Sequence, residues 1–190
     1  MAEIPIFPLN TVLFPGGALP LRIFETRYID MVSQCMKEGH GFGVCLIKEG
    51  AETGKAKVHA VGTLAEIGDW SRGEDGLLHI LARGARRFRV GTVRTQADGL
   101  NLGEVEFLPE DPLVAVPEPR RMLAELLKQV LQQLEAEETE LNYADAGWVG
   151  NRLAEVLPIN LAQRQYLLEL DDPLKRLEIL QTLVQSFTVD

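Results

Sequence analysis

A chain of 190 residues allows one large domain or two small ones, and it can bury a core without disulfide or metal staples. Its composition, 46% hydrophobic and 25% charged, is that of an ordinary soluble globular protein. The net charge of −9 argues against generic binding to nucleic acid or anionic lipid, since both favour a basic face.

The chain opens on an apolar run, residues 7–28, FPLNTVLFPGGALPLRIFETRY. It is not a membrane span, because Pro8, Pro15 and Pro20 would break a helix and Asn10, Thr11, Arg22 and Glu25 interrupt the apolar stretch. No basic region precedes it and no small-residue cleavage site follows, so it is not expected to be a signal peptide. Gly16-Gly17 is followed by Ala-Leu-Pro-Leu, which is no phosphate loop. What remains is a set of short strands and tight turns. Pro15-Gly16-Gly17 is turn chemistry, and Leu19, Leu21 and Ile23 alternate as a half-buried strand.

Residues 25–38 then fit a helix, with Tyr28, Met31, Val32, Cys35 and Met36 on one face and Gly39 as its stop. Strand signals follow at 41–48, 58–67, 77–82, 87–90 and 102–108. In 87–90, Phe88 and Val90 are expected on one face, with Arg87 and Arg89 on the other. Loops are expected at 49–57, 72–76 and 97–99. Six or seven short strands with one helix suggest a closed or partly closed antiparallel barrel.

The texture changes at EDPLVAVPEP, residues 110–119, a proline-rich candidate linker. Beyond it four helices are expected. The first carries an apolar stripe of Leu123, Leu126, Leu127, Val130, Leu131 and Leu134. A shorter one spans 144–157, with Trp148, Val149, Leu153, Val156 and Leu157. Asn160 caps a third over 161–170. Asp172-Pro173 starts the last, with Leu174, Leu177, Leu180, Val184 and Phe187. The reading is α+β: a barrel over residues 1–112 and a helical bundle over 113–190. The barrel part holds 12 Lys/Arg and 15 Asp/Glu, so 12 − 15 = −3; the helical part holds 7 and 13, so 7 − 13 = −6. The acidic run Glu135, Glu137, Glu138, Glu140 reads as a solvated helix end.

The inventory for catalysis is thin. The three serines, Ser33, Ser71 and Ser186, have no nucleophile-elbow setting. His40, His59 and His79 lack metal-binding spacing, though His59 and His79 on neighbouring strands have the chance to meet. Cys35 and Cys45 are expected to stay reduced in a cytosol. Gly41-Phe42-Gly43 starts like a dinucleotide fingerprint, but Leu46 stands at the third glycine position and no helix follows. No metal and no cofactor are expected. The one basic concentration, Arg83, Arg86, Arg87, Arg89 and Arg94, reads as a solvated strand face with ion pairs. It lacks interleaved exposed aromatics for base stacking.

The opening, IPIFPLNTVLFPGGALPLRIFETRY, resembles the start of the Lon protease N-terminal, substrate-binding domain family. The similarity continues in VGTLAEI (61–67), GARRFRV (84–90) and QYLLELDDPLKRLEIL (165–180), and covers nearly the whole chain. It implies a six-stranded, PUA-like pseudo-barrel followed by a helical bundle, as in the standalone bacterial form without ATPase and protease domains. Phe24 and Tyr28 would then pack the helix on the barrel, and Glu25, Arg27 and Arg87 would form a structural polar set, with Gly84 and Phe88 in the barrel motif. These residues carry no Walker motifs and no Ser–Lys dyad, so ATP-dependent proteolysis is not implied. The resemblance implies a non-catalytic module, cytoplasmic and off the membrane. It would recognise unfolded or extended polypeptide, self-associate weakly, and work as an adaptor beside a separate protease or ATPase. An apolar groove is expected where barrel meets bundle, and an exposed barrel edge is a second place for an extended peptide. Tyr28, Trp70, Arg87 and Trp148 are the candidate binding residues. The alternative is a PUA-like RNA binder using the Arg83–Arg94 face.

Overall fold

The structure, a computed structural model, describes residues 2–52, 56–134 and 141–187. The acidic run at 135–140 lies outside the described residues. The chain forms two compact units, Met1–Pro109 and Glu110–Asp190.

The first unit is built on a seven-stranded sheet. In chain order it contains β1 (Ala2–Leu9), β2 (Ala18–Ile23), helix α1 (Thr26–Glu38), β3 (Phe42–Gly50), β4 (Ala56–Val58), β5 (Val61–Arg72), β6 (Leu78–Thr95) and β7 (Asn101–Phe107). Strands β1, β7, β6, β5 and β3 follow one another, and β3 pairs back to β1, so five strands close a ring. The closing pair is parallel, Ile6–Leu9 beside Gly43–Leu46, while the other pairings are antiparallel. Strand β2 hangs from β6, and β4 from β3.

The ring is narrow enough to be filled by very few side chains. Ile6 and Phe88 are fully buried and share a cluster with Cys45 and Val105. Glycines make room for them. A Cβ on Gly43 would lie 2.6 Å from the Phe88 ring, one on Gly62 2.9 Å from it, and one on Gly103 2.8 Å from Ile6. Small barrels fill their interior by alternating large and small residues in this way. The fingerprint-like Gly41 and Gly43 therefore serve packing: a Cβ on Gly41 would strike the Ala65 carbonyl at 2.2 Å.

A second core lies on the other face of the sheet, under α1. Ile6 and Phe7 are neighbours in β1 and point to opposite faces, so Phe7 and Leu9 join Phe42, Val44 and Ile80 there. Helix α1 buries Tyr28, Met31, Val32 and Cys35 against them. Tyr28 stacks on Phe7 with ring centroids 3.9 Å apart. The helix ends where Gly39 turns left-handed (φ 70°), and both Gly39 and His40 donate to the Cys35 carbonyl.

The segments 77–82 and 87–90 form a single strand, where two were expected. Strand β6 is 18 residues long and pairs with β2 in its first half and β7 in its second. Between them the Pro15-Gly16-Gly17 turn docks on Gly84. Gly16 N–H donates to Gly84 O (2.7 Å), and Gly84 N–H donates to Gly17 O (2.8 Å). A side chain at Gly84 would collide with the Phe14 carbonyl at 2.1 Å. The proline-glycine opening is thus the clasp that holds the long strand at its midpoint. The expected 49–57 loop is shorter than its sequence suggests, because β3 runs to Gly50 and β4 starts at Ala56.

The second unit contains a 3-10 turn (Glu118–Arg120), α2 (Arg121–Gln133), α3 (Ala146–Val156), α4 (Leu161–Glu169) and α5 (Pro173–Phe187). The expected caps are present: Asn160 forms a capping box with Gln163, and Asp172 Oδ1 accepts from Leu174 N–H at 2.8 Å. Residues 110–119 are more than a linker. Val116 and Ala144 are hydrogen-bonded, Ala146 N–H donates to Val114 O, and Asp145 caps α3 through Trp148 N–H (2.8 Å). Helix α3 is the centre of the unit and is buried over most of its length. Two stripe residues expected inside, Leu134 and Phe187, are exposed near helix ends.

The interior of this unit is organised by a charge. Arg176 is completely buried. Its Nη1 meets Asp111 Oδ2 at 2.5 Å, its Nε donates to Leu167 O (3.1 Å) and its Nη2 to Leu170 O (2.7 Å). One guanidinium thereby ties the 110–119 segment, the end of α4 and α5 together. Asp111→Ala is expected to destabilise the protein by about 3–5 kcal/mol, because it strands a buried charge; urea denaturation measures this. Phe88→Ala is expected to cost about 3–5 kcal/mol by opening a cavity on the barrel axis, with Gly62→Ala destabilising through overpacking against the same ring.

Candidate functional site

Helix α1 has two apolar faces. The inner one is the core face described above. On the outer side Ile29 and Met36 are exposed, at 38% and 42%. Met36 was expected on the inner face, but it lies past the edge of the buried stripe. Beside it stands Trp70 of β5, 55% exposed. Together with Val32, Leu78, Ser33 and Lys37 these residues line an apolar groove of about 310 Å³. A second cleft of about 470 Å³ adjoins it, sharing Met36 and Trp70 and reaching Gly39–Gly41, Glu66 and Ile67. Both lie wholly within the barrel unit.

The groove follows from the topology. Strands β5 and β6 continue beyond the ring as a long hairpin. Strand β3 pairs with β5 only from Thr63 to Ala65, so Glu66–Arg72 extends past it. Trp70 sits on this extension and is brought over the outer face of α1. The exposed apolar side chains here are gathered around one concavity and not scattered singly.

Another cavity, about 830 Å³, opens between the β3–β4 hairpin and the β6–β7 hairpin. Its polar groups are already matched. Arg27 bonds Glu25 Oε2 (3.0 Å) and Gly99 O (2.8 Å), and Lys57 pairs with Glu49 (2.8 Å).

The other expected site residues are dispersed. Tyr28 is a core residue, 3% exposed, with the Arg27 guanidinium 4.6 Å from its ring centre. Phe24 does not pack α1 on the barrel; it is 61% exposed. Glu25 pairs with Arg27 as expected, which leaves its carboxylate unavailable to cap α1. Arg87 sits on β6 opposite Thr63. Trp148 belongs to the helical unit, half-buried, with Tyr143 edge-on at 5.1 Å. Gly84 and Phe88 hold the structural places described above.

The arginine cluster is not one solvated face. Arg87 is 4% exposed. Arg94 is held by Glu3 through two hydrogen bonds of 2.8 and 2.7 Å, and Arg86 lies over the Phe107 ring at 5.1 Å. Arg87 stands directly across from Thr63, which is itself fully buried. Register is regular from Arg87 to Arg89, so Arg87 lies on the face opposite Phe88 and is buried there beside Thr63.

No reactive centre is assembled among the described residues. His59 and His79 do not meet. His79 pairs with Ser71 near the far end of β5, while His59 precedes its start at Val61. His79 Nε2 lies 3.3 Å from Asp75, and Ser71 stands across from it, but no hydrogen bond joins Ser71 to His79 and the hairpin is open to water. A triad needs that bond and an oxyanion site. No group of three or more His, Cys, Asp or Glu is placed to hold a metal among the described residues. Burial pushes the Cys35 thiol up to about 11, with Glu38 adding to the shift, and burial pushes the Cys45 thiol up to about 12. Thiolates react and thiols do not. The native protein at pH 8 should therefore be inert to a thiol reagent, with two equivalents reacting once it is unfolded; rapid native labelling of either cysteine would contradict the packing.

The geometry defines a class: a binding module with an exposed apolar groove and no assembled catalytic centre among the described residues. Residues 3–186 match the family model of the ATP-dependent protease La (LON) substrate-binding domain, and the chain belongs to that family. A crystal structure of a Lon N-terminal domain protein from Xanthomonas campestris is 40% identical, covers 96% of this chain and 98% of its own, and superposes with a TM-score of 0.83. The Lon protease of Escherichia coli K12 is 25% identical over 97% of this chain. Protein cereblon of Danio rerio is 34% identical over 60% of it. The chain spans about a quarter of the length of these two relatives (25% and 28%). No helix among the described residues is long and apolar enough to cross a membrane.

Proposed function

We propose that this chain is a non-catalytic polypeptide-recognition module, and that unfolded or extended segments bind in the groove between α1 and Trp70. The observation that carries the reading is the exposed indole of Trp70, gathered with Met36 and Ile29 around one groove in a member of a substrate-binding family. Aromatic anchors of this kind dominate binding energy where they are desolvated by a partner. Folded proteins bury the apolar side chains that such a groove takes, so the folded form of a substrate should not bind. Action in the cytoplasm, as an adaptor to a separate protease or ATPase, belongs to the same proposal and rests on the relatives being Lon proteases.

The test is fluorescence anisotropy with a labelled, permanently unfolded protein and a labelled RNA hairpin, run side by side. We expect weak binding of the unfolded protein, micromolar or weaker. It should be weakened about tenfold by Trp70→Ala, the loss of one anchor. It should change little between about 50 and 200 mM salt, whereas several phosphate contacts would lose orders of magnitude over that range. Salt-sensitive RNA binding without polypeptide binding would overturn the proposal.

A further inference from the structure

The groove is bordered by an unused sheet edge. Strand β3 pairs with β5 through Phe42–Val44, opposite Thr63–Ala65. At Gly41 the chain turns away into the end of α1. Beyond Ala65, β5 continues for seven residues, Glu66–Arg72, with β6 on one side only. Among the described residues no strand pairs with its other side. The space that β3 leaves is not filled by side chains. It is the cleft of about 470 Å³ between Gly39–Gly41 and Glu66–Trp70, continuous with the apolar groove through Met36 and Trp70.

An open edge constrains its occupant. Every second residue of an antiparallel strand turns both its N–H and its C=O to the same side. The Ala65 carbonyl faces Gly41, so the outward set begins there. Such a row is matched by an extended chain, which repeats at the same spacing; a helix has its backbone groups already bonded internally. Native edges of this length are usually guarded by bulges, lysines or prolines. Here the guard is partial. Strand β5 bulges between Ile67 and Asp69, and Asp69 Oδ1 takes the Trp70 N–H at 2.7 Å. The edge on either side of that position is open, and no lysine or proline lies on it.

Building on the proposed polypeptide recognition, we infer that the bound segment adds as a strand to the outer edge of β5, in the place β3 vacates. The substrate class follows. Successive side chains of an added strand point to opposite faces, so only alternate ones reach the groove formed by Ile29, Met36, Trp70 and Leu78. The preferred segments are extended stretches with apolar residues at every second position. Strands that cover a core with one face and meet water with the other have this pattern, and they expose the apolar side only on unfolding.

The experiment uses the full chain and synthetic peptides. One fluorescein-labelled dodecapeptide alternates Phe, Ile or Val with Ser or Thr and carries lysines at both ends. A second has the same composition rearranged to helical spacing. Single N-methylation of each amide of the first then maps which backbone N–H groups are used. The alternating peptide should bind about tenfold or more tightly than its rearranged form. N-methylation should weaken binding at every second central amide and have little effect at those between. Equal affinity of the two peptides, or N-methyl effects without a two-residue period, would overturn strand addition. If the unfolded protein still binds in a Trp70-dependent manner in that case, the groove reading stands and only this inference falls. If neither peptide nor unfolded protein binds, both fall.

Discussion

The barrel unit depends on one steric fact: the ring has room for about one aromatic side chain on its axis, and Phe88 takes it. Three strands must present glycine to it or to its neighbour Ile6, at Gly43, Gly62 and Gly103. This fixes register. A one-residue slip of β3 or β5 would replace a missing side chain with a real one and also turn the strand's apolar set to the wrong face. The parallel β1–β3 pairing depends on the same packing, since Ile6 and Gly43 are direct partners across it. Once that ring is closed, β6 is held at both ends and at its middle, where the Gly16-Gly17 turn bonds Gly84.

Because β6 is longer than the ring needs, its first half must go somewhere. It carries β2 on one edge and the second half of β5 on the other, a three-stranded extension outside the closed barrel. Strand β2 ends at Ile23, and α1 starts at Thr26 to cover the sheet. The extension is therefore the only part of the first unit's sheet, among the described residues, where a strand as long as Glu66–Arg72 keeps a side free. The exposed Trp70 stands on it. The groove beside Trp70 and the open edge both follow from one mismatch in strand length.

Much of this was legible. The α1 boundaries, the glycine stop, the Pro-Gly turn and the helix caps at Asn160 and Asp172 all came from local rules, and local rules hold where one residue decides the backbone. The failures share a different cause. Met36 satisfies helical spacing as well as Cys35 does, and spacing alone cannot say where the buried stripe ends. Arg87 keeps its alternation with Arg89, but alternation assigns a face without saying whether that face is covered, and Arg87 lies across from the fully buried Thr63. The 77–82 and 87–90 segments read as two strands because Gly84 resembles a break, when it is the point of closest approach. Residue 176 carries a signal in its spacing. Pro173, Arg176, Leu177 and Leu180 fall at i, i+3, i+4 and i+7, the pattern of a core face, and all four are buried. An arginine on such a stripe must find a carboxylate and carbonyls inside.

Trp70, at the proposed site, differs from the core residues in what a sequence encodes. Core residues are fixed by periodicity, because burial repeats with the secondary structure. An exposed aromatic has no period to obey; its position is meaningful only through what lies beside it. Here those neighbours are Met36 of α1, distant in sequence, and a strand edge left open by the departure of β3 at Gly41. Neither is a property of residues 66–72 themselves. A large indole half in water carries an unfavourable hydration term in the free protein. The burial that would offset it is absent from the described chain, and the groove and the open edge lie together at the place where a partner would supply it.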